Sequence, residues 1–215
     1  MFASPQQRME IDHRTIKLLI GGIAVTLATL TSYFTGHQIT SISASYYETG
    51  WGQTIFIGFL FAIAAFMLAY NGNSTLEKVL SKLASVAALG VAMFPCACGK
   101  QIPLVPYVHG ASAAVMFSIL AIFCAIFYKR ANQKGFTEAR RRAYIYAVCG
   151  WVIVGCIAVL TADNFLGGVI EQRVARLVFY GENAGLVAFG ISWLTASKWL
   201  PVISRQDERL VLLAP

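Results

Sequence analysis

Long apolar runs alternate with short polar connections along this chain of 215 residues. A helix that crosses the hydrocarbon core of a membrane needs about 20 mostly apolar residues, and six runs are long enough. Because the connections are short, neighbouring runs would pair as antiparallel helices. The pattern predicts an all-α membrane protein with a single domain over residues 1–215, a six-transmembrane-helix antiparallel bundle. The predicted spans cover approximately residues 17–35, 51–70, 79–95, 108–128, 143–162 and 177–199.

Lysine and arginine are distributed unevenly between the two sides of this predicted bundle. Cytoplasmic loops of membrane proteins carry an excess of basic residues, which sets the orientation of the chain. The bias predicts that both termini are cytoplasmic. The opposite, outer side holds only Lys100, Arg173 and Arg176. The cytoplasmic side holds Arg8, Arg14, Lys17, Lys78, Lys82, Lys129, Arg130, Lys134, Arg140, Arg141, Arg142, Lys198, Arg205 and Arg209.

Composition supports the membrane assignment and excludes one class of partner. Hydrophobic residues make up 57% of the chain and charged residues only 13%, whereas soluble domains are about one quarter charged. The formal net charge is +7, but the basic residues lie between apolar runs and form no basic face with interleaved aromatic residues. We therefore expect a lipid bilayer as the partner and no binding of nucleic acid.

One carboxylate, Glu182, lies inside the last apolar run. At roughly 1.5 Å of helical rise per residue, it is about 9 Å beyond Arg176, within a hydrocarbon layer about 30 Å thick. An ionisable group in that position is costly and is a candidate for a functional site. The alternative is a structural role, with a hydrogen bond or an ion pair to Arg173 or Arg176.

Other polar residues gather on the predicted outer side, where they could converge above Glu182. We predict Glu182, His109 and Asp163 as catalytic residues, because histidine and buried carboxylates supply acid and base groups. The predicted substrate-binding residues are Ser41, Ser43, Tyr46, Tyr47, Glu48 and Arg173.

Each of these residues also has a structural interpretation. His109 could be an interfacial histidine that contacts water or a carbonyl group, and Asp163 could be a solvated helix end. Tyr46 and Tyr47 are typical membrane-interface anchors. The serine-rich loop could simply form a turn with capping hydroxyl groups.

The cysteine content and the lack of known motifs limit the kinds of catalytic or metal site that the chain can form. The chain lacks the metal, nucleophile and phosphate-binding motifs that combine histidine, serine or glycine at fixed spacings. Cys96 and Cys98 with His109 nearby are too few ligands for a closed zinc site, so no metal is predicted. The two cysteines form either a disulfide or a pair of free thiols. The sequence identifies no cofactor.

Local patterns also predict structural features. Ser74 and Glu77 form a capping box at the start of the third predicted span. Small residues four positions apart allow close approach of membrane helices, which predicts helix contacts at Gly181 with Gly185 and at Gly110 with Ala114.

Several short segments together resemble a family of uncharacterised bacterial six-span membrane proteins, which is distantly similar to the Frag/DRAM/Sfk-like membrane proteins. The family pattern has an Arg-Asp pair where this chain has Gln53 and Thr54. The resemblance implies a six-helix fold with an outward polar mouth in a bacterial inner (plasma) membrane, and it implies no particular activity. The matching segments are Ser41-Ile-Ser-Ala-Ser-Tyr-Tyr47, Phe56-Ile-Gly58, Ala69-Tyr-Asn-Gly72, Phe94-Pro95, Val108-His109, Glu182 and Phe189-Gly-Ile-Ser-Trp-Leu194.

Taken together, the residues predict an outward-facing polar site that binds a lipid head group or a small polar solute, with lipid hydrolysis or remodelling as its chemistry if it is an enzyme. The alternative is a non-catalytic membrane factor or a small ion- or proton-coupled transporter. The sequence determines neither the ligand nor the oligomeric state.

Overall fold

A computed structural model describes residues 13–98, 102–103 and 105–210, and this part of the chain is all-α with no strand. Arg8 and Lys100, which contributed to the predicted orientation, lie outside the described residues. Three short 3-10 segments cover Ser43–Tyr47, Pro201–Ile203 and Gln206–Glu208. The α-helices are α1 (His13–Thr35), α2 (Trp51–Ala69), α3 (Thr75–Met93), α4 (Val108–Asn132), α5 (Thr137–Phe165), α6 (Val169–Arg173) and α7 (Leu177–Ser197).

Five of these helices, α1, α2, α4, α5 and α7, are long and apolar enough to cross a membrane. This is consistent with an integral membrane protein. Helix α3 has 19 residues, as many as α2, but Glu77, Lys78 and Lys82 in its first half make it less apolar. The length and composition of the helices thus account for five spans, and a sixth span would depend on α3.

The six long helices pack in a closed ring. Each of α1 to α4 packs against the next helix along the chain, α5 packs against α7, and α7 returns to α1. The five-residue helix α6 lies between α5 and α7 in sequence. This ring brings the first and last long helices into contact. The start of α7 therefore lies beside the loop that follows α1.

Glycines determine how closely α1 and α7 approach. A β-carbon built on Gly190 would lie 2.8 Å from the Gly21 carbonyl oxygen, and one on Gly21 would lie 2.9 Å from the Gly190 carbonyl oxygen. Of the predicted small-residue contacts, Gly185 does pack closely, against the Phe117 ring. The expectation for Gly110 was wrong, because no neighbouring atom lies within 4 Å of the position of its β-carbon. Spacing alone identifies small residues but not the face that a partner helix covers.

A buried carboxylate, Glu77, stabilises the end of the bundle that holds the C-terminal segment. The predicted capping box is present, since the Glu77 backbone N–H donates to the Ser74 hydroxyl oxygen over 3.2 Å. Glu77 is fully buried, and its carboxylate also accepts hydrogen bonds from Tyr70, at 3.0 Å, and from Arg130. The Glu77 carboxylate therefore joins α3 to α4, while its backbone N–H is bonded to the Ser74 cap of α3.

At the same end, Glu208 ties the C-terminal segment to the bundle. Its carboxylate forms ion pairs with Arg142 at 2.9 Å, with Lys198 at 3.0 Å and with Lys134. These cations come from α5, from the end of α7 and from the connection after α4. The segment after α7 thus closes this end of the ring, opposite the loop between α1 and α2.

Candidate functional site

The candidate site lies under the loop that joins α1 to α2, residues 36–50. This loop is fixed to the start of α7 by two hydrogen bonds: Arg176 Nε donates to the Ile39 carbonyl over 2.8 Å, and the Phe179 N–H donates to the Thr40 carbonyl over 3.2 Å. Ile39 and Ile42 are buried, which anchors the loop in the apolar interior. The loop therefore covers the end of the bundle at a fixed position relative to α7.

Glu182, on the second turn of α7, is bonded to this loop. Its Oε2 atom accepts hydrogen bonds from the backbone N–H of Ile42, at 2.5 Å, and of Ser43, at 3.4 Å. Its Oε1 atom lies 2.7 Å from Ser43 Oγ. The predicted alternative, an ion pair with Arg173 or Arg176, is not among the ion pairs of the described residues. The partners of Glu182 are neutral donors, which satisfy its oxygens without a counter-charge.

His109, on the first turn of α4, completes the group. Its Nε2 atom lies 3.0 Å from Ser43 Oγ, and its Nδ1 atom lies 2.7 Å from the carbonyl oxygen of Phe94, at the end of α3. The imidazole is buried, so both ring nitrogens are held in place within the protein. Ser43 is thus the link between Glu182 and His109, and the three side chains form one hydrogen-bonded chain from α7 to α4.

The remaining loop residues support this chain. Ser41 Oγ accepts from the Ala44 N–H over 2.9 Å and lies 3.6 Å from Cys98 Sγ. Tyr47 donates to the Cys96 carbonyl over 2.6 Å. Partial burial, with a smaller effect of the neighbouring Tyr46, raises the pKa of Tyr47, so its phenol remains a donor at neutral pH. These bonds tie the α1–α2 loop to the segment after α3.

That segment contains a disulfide between Cys96 and Cys98, which is one of the two states that the sequence left open. Tyr46 reaches the same region, since its hydroxyl donates to the Met93 carbonyl over 3.4 Å. The Phe94 carbonyl is the partner of His109, and Phe94 lies between Met93 and Cys96, whose carbonyls are both bonded to the loop. The arrangement positions the imidazole through backbone groups that are themselves fixed.

Three charged residues of the predicted site lie outside the hydrogen-bonded chain. Asp163 is buried, and its Oδ1 accepts from two backbone N–H groups of α6, at 2.7 and 3.2 Å, so it caps that short helix. Glu48 pairs with His37 at 3.3 Å. Arg173 is exposed on α6. The structure therefore brings together Glu182, Ser43 and His109 but not the other charged residues of the predicted outer side.

An apolar cavity begins at Ser43 and Glu182 and extends into the bundle. The space between atoms there is about 340 Å³, a figure that includes open solvent at its mouth, and its other lining residues are all apolar. A second gap, of about 290 Å³ measured in the same way, has only apolar lining, lies between α2, α3, α4 and α7, and shares three wall residues with the first. The shared wall residues are Leu60, Met116 and Leu186.

Sequence patterns missed two parts of this end of the protein. The bridging position of Ser43 was not distinguishable from that of the other loop hydroxyls, and the Phe94 carbonyl is a backbone group that no side-chain motif identifies. Among the described residues, no group of three His, Cys, Asp or Glu side chains could hold a metal ion. Glu182, Ser43 and His109 form a set of hydrogen-bonding groups.

Comparison of the chain with models of protein families, with curated proteins and with solved structures finds no match in any of the three. The resemblance to the bacterial six-span family therefore stays a prediction. The function must be argued from the geometry of the site.

Proposed function

We propose that the protein is an integral membrane protein that binds a membrane lipid, with the polar group of the lipid at Ser43 and Glu182 and its chain in the apolar cavity. The observation that carries this proposal is the shape of the cavity. Nine of its eleven lining residues are apolar, and the two polar ones, Ser43 and Glu182, are next to each other at one end.

A lipid fits these walls better than a small polar solute does. Ligand sites are mostly apolar with a few placed polar groups that fix the orientation of the ligand. A polar solute in the deeper part of the cavity would lose its hydrogen bonds to water and find no replacement, which costs several kcal/mol per group, roughly 2–7. An acyl chain has no such cost there.

The proposed topology places this site on the outer side of the membrane. We count α3 as a sixth span, because it completes the ring between α2 and α4. Six crossings put both termini on one side, and the excess of basic residues there favours the cytoplasm of a bacterial cell. The loop over Glu182 would then face outwards.

Two matched variants test the binding of a lipid. Ala113 lines the cavity, whereas its neighbour Ala114 on the same helix is exposed on the surface of α4. Ala113→Leu should fill the cavity mouth and reduce the lipid that copurifies with the protein several-fold, measured by mass spectrometry of the extract. Ala114→Leu should leave the amount of bound lipid unchanged.

Equal lipid content in the two variants would refute the proposal. If Ala113→Leu raises the melting temperature without changing bound lipid, the cavity is an unfilled gap.

Hydrolysis is a second candidate, favoured by the 3.0 Å contact between Ser43 Oγ and His109 Nε2, which is the usual geometry of a nucleophile and its base. Free fatty acid in the extract of the wild type, absent for Ser43→Ala, would support it.

A further inference from the structure

We propose that Glu182, Ser43 and His109 form a proton-relay site, in which one proton is shared between the carboxyl group and the imidazole and passes through the Ser43 hydroxyl. The inference rests on the positions of donors and acceptors in the hydrogen-bonded chain. It does not depend on the binding of a lipid.

The Phe94 carbonyl decides the tautomer of His109. A carbonyl oxygen is only an acceptor, so the Nδ1 atom that lies 2.7 Å from it must carry a hydrogen and donate it. In a neutral imidazole the other nitrogen, Nε2, is then an acceptor. Its partner 3.0 Å away is Ser43 Oγ, which must donate its hydrogen to Nε2 whenever His109 is neutral.

Ser43 has a single hydroxyl hydrogen but two partners. If that hydrogen is donated to His109, the 2.7 Å contact with Glu182 Oε1 is a hydrogen bond only when Glu182 is protonated and donates to Ser43 Oγ. If the Ser43 hydrogen is donated to Glu182 instead, the 3.0 Å contact with His109 is a hydrogen bond only when Nε2 carries a hydrogen, and the imidazole is then charged. In either arrangement, the three groups together hold one more proton than they would if Glu182 were ionised and His109 were neutral.

The two arrangements differ only by movement along the chain. In one step, the Glu182 O–H bond breaks as a bond forms between that hydrogen and Ser43 Oγ, and the original Ser43 O–H bond breaks as a bond forms to His109 Nε2. The net charge of the group is zero before and after the transfer. No other reactant is required.

The uncharged arrangement is the resting state, because separated charges are costly in apolar surroundings. In that state every group is satisfied. The Oε2 atom of Glu182, as the carbonyl oxygen of the acid, accepts the backbone N–H groups of Ile42 and Ser43. The chain then runs in one direction, from the acid through the hydroxyl to the imidazole and on to Phe94.

The charged and titratable groups around the site are engaged elsewhere. His37 and Glu48 in the loop pair with each other, and Arg176 at the start of α7 donates to a backbone carbonyl. Tyr46 and Tyr47 donate to carbonyls of the segment after α3. In the part of the chain that the structure describes, none of these five forms an ion pair or hydrogen bond with Glu182 or His109. The relay is therefore separate from other proton carriers.

Spectroscopy of the full chain in lipid nanodiscs tests this proposal. At neutral pH we expect a carboxylic-acid infrared band that Glu182→Gln removes. Nitrogen NMR should show a neutral His109 with its hydrogen on Nδ1, assigned by loss of the signal in His109→Gln. Ser43→Ala should shift both signals, because it removes the link, and Ser43→Thr should restore them because it keeps the hydroxyl.

The count of protons gives a decisive result. If Glu182 is a carboxylic acid and the His109 ring is neutral, or if Glu182 is a carboxylate and the ring is charged, the two groups share one proton, which supports the relay. A carboxylate with a neutral ring, or an acid with a charged ring, would overturn it. These outcomes are read from the wild type, so they hold even if Ser43→Ala does not fold. If Ser43→Ala folds and leaves both signals unchanged, Ser43 is not the link and the relay is refuted.

Discussion

The close contact of α1 with α7 gives a sharp prediction about stability. Gly190→Ala adds one methyl group at a position where a β-carbon would lie 2.8 Å from the Gly21 carbonyl oxygen and 2.9 Å from the Val25 backbone nitrogen. Both atoms belong to the backbone of a packed helix, so no side-chain rotation relieves the overlap. The two helices must separate, and α7 carries Glu182.

The expected loss follows from two opposing effects. Overpacking a well-packed interior costs about 1–3 kcal/mol, and contact with backbone favours the upper end. Alanine offsets roughly 1 kcal/mol of this through its higher helix propensity. The net loss is about 2 kcal/mol, which corresponds to a fall of about 4–8 °C in melting temperature for a chain of this length.

Gly155→Ala is the matched control, because Gly155 lies within α5 and no neighbouring atom is within 4 Å of its β-carbon position. Its melting temperature in detergent should equal or exceed that of the wild type. The measurement is thermal unfolding of purified protein, followed by loss of helical circular dichroism. If Gly190→Ala is as stable as Gly155→Ala, α1 and α7 do not pack through these glycines.

Two further predictions concern the ends of the bundle. In a background without native cysteines, Gln133→Cys should react with a membrane-impermeant thiol reagent only from the cytoplasm, and Ile102→Cys only from outside; the reverse would refute the orientation. Burial raises the pKa of Glu208, but hydrogen bonds from Lys134 and Lys198 outweigh it and lower the pKa from 4.5 to about 2. The stability that this pairing contributes is complete above pH 4.5 and is lost as the pH falls towards 2, so the advantage of the wild type over Glu208→Gln in melting temperature should shrink across that window. If this difference in melting temperature does not change with pH, the ion pairs do not lower the pKa of Glu208.

The helices were predictable because each depends on local composition. Apolar runs of spanning length must form helices in a bilayer, where backbone groups find no water. Every predicted span overlaps an observed helix, and the capping box at Ser74 marks where α3 begins. The closing of the ring by α1 and α7 was not predictable in the same way, because it depends on contacts between residues about 170 positions apart, such as Gly21 and Gly190.

Glu182 and His109 stood out individually in the sequence, whereas Ser43 was predicted only as one of several binding residues in the loop. Glu182 was identified because a carboxylate within an apolar run needs a partner, and His109 because it is one of three histidines. The partner of both is Ser43, 139 positions before Glu182, in a loop with several equivalent hydroxyls. Loop backbone has no repeating pattern, so the fold of residues 36–50 over α7 had no sequence signal.

Glu77 and Glu182 show how surroundings assign different roles to one residue type. Glu77 accepts hydrogen bonds from the Arg130 guanidinium, so a permanent cation compensates its charge and its role is to join helices. Glu182 is bonded to the backbone N–H groups of Ile42 and Ser43 and to the Ser43 hydroxyl, all of them neutral. In the part of the chain that the structure describes, no cation forms an ion pair with Glu182, and an uncompensated charge is costly in apolar surroundings. The proposed relay uses this difference: a carboxyl group that is neutralised by a proton responds to whatever supplies or removes that proton, whereas Glu77 is paired with a permanent cation.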